Sequence, residues 1–143
     1  MKSSVHYAST EDEMIALGSE LVRQWPRTGA VLLIGNLGAG KTTLAKGIVE
    51  GLGAERAENV SSPTFPLIHE YGDPVEVYHV DLYRLDTKAE VETLGLDEIF
   101  SRRAMVLLEW AERFPELMPE ERIEVRITTE ASGGRRVEVA QRS

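Results

Sequence analysis

A glycine-rich segment between two apolar runs is the part of the sequence best suited to chemistry. Gly35 begins it, and Gly40-Lys41-Thr42 ends it after four intervening residues. Glycines let the backbone curl around phosphate oxygens, a lysine reaches the outer phosphates, and a threonine hydroxyl can ligate Mg²⁺. The apolar run before the segment predicts a strand, and the residues after it predict a helix whose N-terminus favours anions. The segment therefore predicts a site for a nucleoside triphosphate.

Two carboxylates end apolar runs further along the chain. Asp81 ends the run 77–81, and Glu109 ends the run 105–109. The carboxyl ends of strands in α/β sheets open onto the ligand crevice, so both side chains are candidates to lie near bound phosphates. The run that ends at Glu109 is the more apolar, whereas aspartate is the more usual partner of a threonine at Mg²⁺. The local pattern does not choose between the two.

A polar segment downstream of the glycines is a candidate switch. Thr64 supplies a hydroxyl and Pro63 stiffens the loop, in the region where nucleotide switches carry a threonine that senses the γ-phosphate through Mg²⁺. The same pattern is also common in plain connecting turns. His69 and His79 lie in strand-like runs without a companion at metal-ligand spacing, and we interpret both as structural.

The composition excludes several classes of protein. The chain has 143 residues, which fits one domain over residues 1–143. It has no cysteine, which excludes a disulfide framework and a thiolate metal site. No apolar stretch has the length of a signal-peptide core or of a membrane span, so we expect a soluble, cytoplasmic protein. A net charge of −8 disfavours direct contact with nucleic acid and favours a protein partner.

Strand-like and helix-like segments alternate along the chain. The predicted strands are a short edge strand at 4–8, the runs 30–34, 65–71, 75–81 and 104–109, and a C-terminal hairpin at the sheet edge. The predicted helices are one from the Thr10–Glu13 capping box to Pro26, one over 42–52, and short ones at 88–94 and 97–100. This order predicts an α/β fold, a P-loop NTPase-like three-layer sandwich. Its mixed sheet would be parallel in the centre and antiparallel at the edges.

Four segments, in order, resemble the small bacterial TsaE (YjeE) ATPases, which act in making threonylcarbamoyladenosine on tRNA. The segments are Gly38-Ala39-Gly40-Lys41-Thr42-Thr43, Ser62-Pro63-Thr64-Phe65, His79-Val80-Asp81-Leu82-Tyr83-Arg84-Leu85 and Leu108-Glu109-Trp110. The resemblance extends over nearly the whole chain, and the combined spacing is far more specific than the glycine segment alone. Ala111 departs from the family pattern, in which many relatives have proline at that place.

The resemblance implies a Mg²⁺-dependent ATPase that is weak alone. Its implied partners are TsaD, which transfers the carbamoyl group, and TsaB, with tRNA contacted at most through that complex. Thr42 and Asp81 would hold Mg²⁺ with Glu109 close to it, while Lys41, Glu109 and Thr64 would be catalytic. The implied ATP-binding residues are Thr10, Glu11, Gly38, Ala39, Gly40, Lys41, Thr42, Thr43, Glu109, Trp110 and Arg135. The first two would lie near the base, although the position of Trp110 by itself favours packing over base stacking.

Three other functions stay open as alternatives. A small-molecule kinase that uses ATP needs an acceptor pocket and usually an arginine-bearing lid, and the chain has no arginine-rich insertion. A GTP switch is disfavoured because neither Asp-x-x-Gly nor Asn-Lys-x-Asp occurs in the sequence. A scaffold that only binds ATP would keep its ATP affinity without partner-stimulated turnover. We favour the ATPase.

Overall fold

The computed structural model describes residues 2–63 and 67–142. The strands in these residues are β1 (Lys2–Ala8), β2 (Gly29–Ile34), β3 (Ile68–Tyr71), β4 (Val77–Asp81), β5 (Met105–Glu109), β6 (Arg122–Thr129) and β7 (Arg135–Arg142). The helices are α1 (Glu11–Val22), α2 (Lys41–Gly51), α3 (Lys88–Glu92) and α4 (Leu96–Phe100), with 3₁₀ turns at Ala57–Asn59, Ala111–Arg113 and Pro115–Leu117. Within this part of the chain, no helix has both the length and the apolar character needed to cross a membrane.

The strands form one mixed sheet in the order β1-β7-β6-β2-β5-β4-β3. β2 pairs in parallel with β5 and with β6, and β4 pairs in parallel with β5. β3 joins β4 antiparallel at one margin, and β6, β7 and β1 pair antiparallel at the other. The predicted parallel centre and antiparallel edges are confirmed. β1 is an edge strand, as predicted for residues 4–8, and it pairs outside β7, so the C-terminal hairpin β6–β7 lies one strand in from the edge where it was expected.

Helices on both faces of the sheet complete three layers. Side chains along β2 alternate between the faces. Val31 and Leu33 belong to the core under α1 and α2, whereas Ala30, Leu32 and Ile34 belong to the core under α3, α4 and the last 3₁₀ turns. Burial on both faces explains why the central strands are continuous apolar runs.

Glycines bring the two long helices close together. A Cβ on Gly47 would lie 2.0 Å from the Ile15 carbonyl oxygen, and a Cβ on Gly18 would lie 2.5 Å from the Leu44 carbonyl oxygen. The hydroxyl of Ser19 donates to the Gly47 carbonyl at 3.1 Å. Because α2 starts at the end of the glycine segment, this contact also places the start of α1 near that segment.

The limits of α1 differ in detail from the prediction. The Thr10 hydroxyl accepts from the Glu13 N–H at 3.1 Å, as a capping box requires, but the Glu13 carboxylate accepts from the Ser9 N–H at 2.7 Å. The helix ends at Val22, so Trp25 lies beyond it and is nevertheless buried. The series of buried side chains along α1 therefore continues into the next turn, although that turn is not helical.

The predicted strand 65–71 is shorter in the structure. Residues 65 and 66 lie outside the described residues, and β3 begins at Ile68. Its pairing with β4 across the predicted turn is antiparallel, as a hairpin requires.

Candidate functional site

The glycine loop, residues 35–42, leads from β2 into the first turn of α2. Gly38 and Gly40 have φ angles of 80° and 109°, a region in which other L residues are strained. Gly40 is the N-cap of α2 and supplies no side-chain hydrogen bond to the first turn. The first N–H groups of a helix have no partner within the helix, so here they remain free of any capping side chain. The loop therefore has the features of an anion cradle built from backbone.

The buried polar side chains of the described residues all lie beside this loop. They are Lys41, His79 and Glu109, which are 5%, 0% and 3% exposed. Buried polar groups are costly unless they are paired. Glu109 Oε2 lies 2.7 Å from His79 Nε2, and the Thr42 hydroxyl donates to the same oxygen at 3.2 Å. The carboxylate thus joins the first turn of α2 to strand β4.

Lys41 is held between the loop and an aromatic ring. Its Nζ donates to the Gly35 carbonyl at 2.7 Å and lies 3.5 Å from the centroid of the Trp110 ring. Burial lowers the pKa of Lys41 below its usual value, although nearby carboxylates, with Glu109 the strongest, act in the opposite direction. The ammonium group has lost much of its water, so an anion in the loop would supply a partner that solvent no longer provides.

The backbone turns sharply at Trp110, immediately after β5. Its φ of 66° is the only positive value at a non-glycine residue in the described chain. The turn sets the indole against Lys41 and 5.0 Å from the Tyr83 ring, while Glu109 stays in the strand. Strained backbone of this kind persists only where the surroundings enforce it, and it concentrates at functional sites.

Asp81 lies beside Glu109 at the carboxyl edge of the sheet. The two residues are register partners in the parallel pairing of β4 and β5. Asp81 Oδ2 accepts from the Ser62 hydroxyl at 2.9 Å, and Oδ1 accepts from the Tyr83 N–H at 2.9 Å. The structure therefore brings the candidate switch segment up to this carboxylate. Thr64 itself, a predicted catalytic residue, lies outside the described residues.

The oxygen donors at this edge suit Mg²⁺. This ion keeps several waters and takes one or two carboxylates plus substrate phosphates, so a site for it does not need a full cage of protein ligands. Thr42 contacts Glu109, and Asp81 ends the adjacent strand. Residues 2–63 and 67–142 contain no cluster of three or more His, Asp or Glu side chains able to hold a metal ion. The donor set fits a cation that phosphates help to bind.

A cavity of about 220 Å³ also opens beside the glycine loop. The predicted ATP-binding residues that line it are Thr10, Glu11, Gly38, Gly40, Thr43 and Arg135. Arg135 Nε donates to the Ala39 carbonyl at 2.8 Å, and Nη1 donates to the Gly133 carbonyl at 2.8 Å. The start of α1, the loop and the start of β7 thus meet at one place, although they are far apart in the sequence.

One further residue contacts the site. His79, interpreted as structural, contacts the Glu109 carboxylate. A signal was available, because His79 stands two residues before Asp81 in a strand and alternation puts both side chains on one face. The hydrogen bond from Ser62 to Asp81 had no comparable sequence signal, because the residue types of a loop do not determine its path.

The fold and the loop define the class of protein. A mixed sheet with a parallel centre, whose central strand leads through a glycine loop into a helix, makes the chain a P-loop NTPase-like α/β protein. The chain belongs to the TsaE family, because the family model described as "Threonylcarbamoyl adenosine biosynthesis protein TsaE" matches residues 8–137.

Individual relatives agree with this assignment. The tRNA threonylcarbamoyladenosine biosynthesis protein TsaE of Bacillus subtilis is 46% identical over 109 residues, which span 75% of this chain and 66% of that protein. The protein of the same name from Haemophilus influenzae is 37% identical over 133 residues, or 89% of this chain and 83% of the relative. The crystal structure of Bacillus subtilis YdiB superposes with a TM-score of 0.80 and 31% identity, covering 99% of this chain and 87% of YdiB.

Proposed function

We propose that this protein binds ATP with Mg²⁺ and hydrolyses it in support of threonylcarbamoyladenosine modification of tRNA. The observation that carries the proposal is that the buried Lys41 and Glu109 lie at the end of the glycine loop, where the partly buried Thr42 donates to the Glu109 carboxylate. A cation, a hydroxyl and a carboxylate are groups that triphosphate hydrolysis uses, and here the cation and the carboxylate are almost completely buried. Membership of the TsaE family supports the link to tRNA modification.

Each residue of the junction has a separate role in this proposal. The loop amides and Lys41 bind the phosphate oxygens, and Thr42 and Asp81 hold Mg²⁺ with Glu109 close to it. The bound ion offsets the negative charge on the β- and γ-phosphates. Glu109 orients a water molecule whose oxygen bonds to the γ-phosphorus as the bond from that phosphorus to the β–γ bridging oxygen breaks. One proton of this water stays on the new phosphate, and the other passes through the Glu109 carboxylate to solvent. ADP and inorganic phosphate then leave.

The remaining predicted residues serve binding and switching. Thr10, Glu11 and Arg135 line the cavity beside the loop, and we assign the nucleoside part of ATP to that cavity. Trp110 covers Lys41 and excludes water from it. Thr64 follows the segment whose Ser62 bonds to Asp81, and in this proposal its hydroxyl senses the γ-phosphate.

The proposed partners are TsaD and TsaB, and the proposed site of action is the cytoplasm. Turnover is slow in the isolated chain and rises when the TsaD–TsaB complex is present. The net charge of −8 supports contact with proteins over direct contact with tRNA, because phosphate backbones repel an acidic surface.

The test measures ATP hydrolysis by the purified chain with and without the TsaB–TsaD pair. We expect turnover that depends on Mg²⁺ and increases with the pair. Calorimetry that detects no binding of Mg·ATP to the folded protein, with both partners supplied, would contradict the proposal. ATP-dependent phosphorylation of a nucleoside or sugar, without stimulation by the pair, would identify a small-molecule kinase.

A further inference from the structure

His79 is the most deeply buried polar residue beside the glycine loop, and the roles proposed above do not use it. It lies in β4 with 0% of its surface exposed. Its ring meets the Glu109 carboxylate at 2.7 Å, measured from Nε2 to Oε2. The position is set by the sheet, because β4 and β5 run in parallel and place the two side chains on the same face.

The contact assigns the direction of the hydrogen bond. An ionised carboxylate only accepts, so the imidazole donates through Nε2–H. The other ring nitrogen, Nδ1, is buried and has no hydrogen-bond partner within residues 2–63 and 67–142. A proton on Nε2 accounts for the observed geometry, and this donor is directed at Glu109.

The two oxygens of Glu109 are not equivalent. Oε2 accepts from His79 at 2.7 Å and from the Thr42 hydroxyl at 3.2 Å, whereas Oε1 lies 3.5 Å from that hydroxyl and makes no shorter bond in the described chain. The several rotatable bonds of a glutamate would otherwise let its carboxylate turn. Here hydrogen bonds from two different elements, α2 and β4, hold Oε2 in place. Oε1 is therefore the oxygen that is left to accept from a water molecule.

We propose that His79 is a positioning residue that fixes Glu109 for water activation, which rests on the ATPase function proposed above. The Nε2–H bond holds Oε2 and keeps Oε1 directed for the attacking water. Partners that orient a reactive or ligating side chain typically affect activity by about 10- to 100-fold when they are removed. His79 acts through Glu109 and does not itself contact the nucleotide.

Three substitutions separate positioning from packing. In His79→Gln the amide nitrogen can occupy the place of Nε2, in His79→Asn it lies near the place of Nδ1, and His79→Leu has no donor. We expect His79→Leu and His79→Asn to lower kcat with TsaB–TsaD by about 10- to 100-fold with KM for ATP nearly unchanged. His79→Gln should recover most of the wild-type kcat. A kcat for His79→Leu within twofold of wild type, or no recovery in His79→Gln, would overturn the proposal.

Two controls test whether the effect passes through Glu109. His69 is the register partner of His79 on β3 and bonds to Tyr71, so His69→Leu should leave kcat unchanged. In a Glu109→Ala background, His79→Leu should cause no further loss of kcat, because the group that it positions is absent. A further loss as large as in the wild-type background would show that His79 acts independently.

A spectroscopic measurement does not depend on turnover. Nitrogen NMR of the histidine rings in the nucleotide-free protein should show His79 protonated at Nε2, with a shift that changes in Glu109→Ala. A proton on Nδ1 would overturn the assigned hydrogen bond. A His79 signal that is the same in wild type and Glu109→Ala would overturn it as well. If wild type hydrolyses no ATP with its partners, the proposed function fails, while this spectrum still decides whether the histidine holds the carboxylate.

Discussion

The two ends of the central strands hold charged side chains to different degrees out of water. At the carboxyl end, Lys41 and Glu109 are almost completely buried beside a cavity of about 220 Å³. At the amino end, where β2 and β6 begin, a larger cavity of about 580 Å³ is lined by Arg122 and Arg142 among other residues. Both arginines contact Glu124 Oε2, at 2.7 and 3.2 Å, and the side-chain exposure is 13% for Arg122, 21% for Glu124 and 48% for Arg142.

Because of this difference, we expect the nucleotide at the smaller cavity and not at the larger one. Charges that pair while partly in water are screened, and such pairs contribute little to stability or binding. Charges held out of water interact strongly with a ligand that carries the opposite charge, because the local dielectric is low. We therefore expect chemistry at the carboxyl end, where Lys41 and Glu109 are almost completely buried near the smaller cavity.

The largest expected effect comes from Glu109→Ala. Loss of the group that orients water should lower turnover about 1,000-fold, within the range for removal of a catalytic acid or base. Affinity for Mg·ATP should change little, because Lys41 and the loop amides remain. Turnover and calorimetric affinity are measured side by side, with Glu124→Ala at the amino end as the control. Equal turnover in Glu109→Ala and wild type would remove this residue from the mechanism.

Next in size is the effect of Lys41→Ala on binding. The substitution removes the buried cation, so the dissociation constant for Mg·ATP should rise about 100-fold or beyond detection, as expected for a lost charged hydrogen bond. Lys2, which lines the larger cavity, provides the matched control, and Lys2→Ala should bind as wild type does. An equal loss of Mg·ATP affinity in the two variants would show that the two ends do not differ in nucleotide binding.

A smaller effect is expected from Arg135→Ala. The guanidinium group ties β7 to the glycine loop through the Ala39 carbonyl, so its loss should weaken Mg·ATP affinity by about fivefold, close to one hydrogen bond. Arg136 points to the other face and pairs with Glu138, which makes Arg136→Ala a control of the same charge. If calorimetry finds the Arg136 variant to be the weaker binder, the cavity beside the loop is not part of the nucleotide site.

The smallest effect should follow Arg142→Ala at the amino end. Its exposed pair with Glu124 should contribute less than about 0.5 kcal/mol to the free energy of unfolding, measured with denaturant. Mg·ATP affinity should stay within twofold of wild type. A large loss of affinity would mean that the larger cavity takes part in binding, and the comparison would have to be reversed.

Much of the fold could be predicted because its signals are local. The cap at Thr10 and the apolar runs 30–34 and 104–109 depend on neighbours in the chain, and their elements are found within a few residues of the predicted limits. The order of these elements along the chain predicts parallel strands in the centre of the sheet, and the structure confirms this prediction. The position of β1 outside β7 could not be read in this way, because pairing between the two ends of the chain leaves no local pattern.

In the candidate site, too, some features have local sequence signals and others do not. The spacing of Lys41 and Thr42 after the glycines predicts them as candidate site residues, since phosphate-binding loops in general use consecutive residues. Asp81 and Glu109 were both found as strand ends, but the sequence could not choose between them. In the structure Glu109 is the buried one, in contact with Thr42, whereas Asp81 is half-buried and bonds to Ser62.

The sequence alone determined the elements and the glycine loop, because capping, alternation and turn chemistry act over a few residues. Only the tertiary structure decided which distant side chains complete the site. Arg135 reaches a loop carbonyl from nearly a hundred positions away, and His79 finds Glu109 on the neighbouring strand. These contacts depend on the register of strands and the packing of helices, which arise from burial of the whole core and not from any short segment.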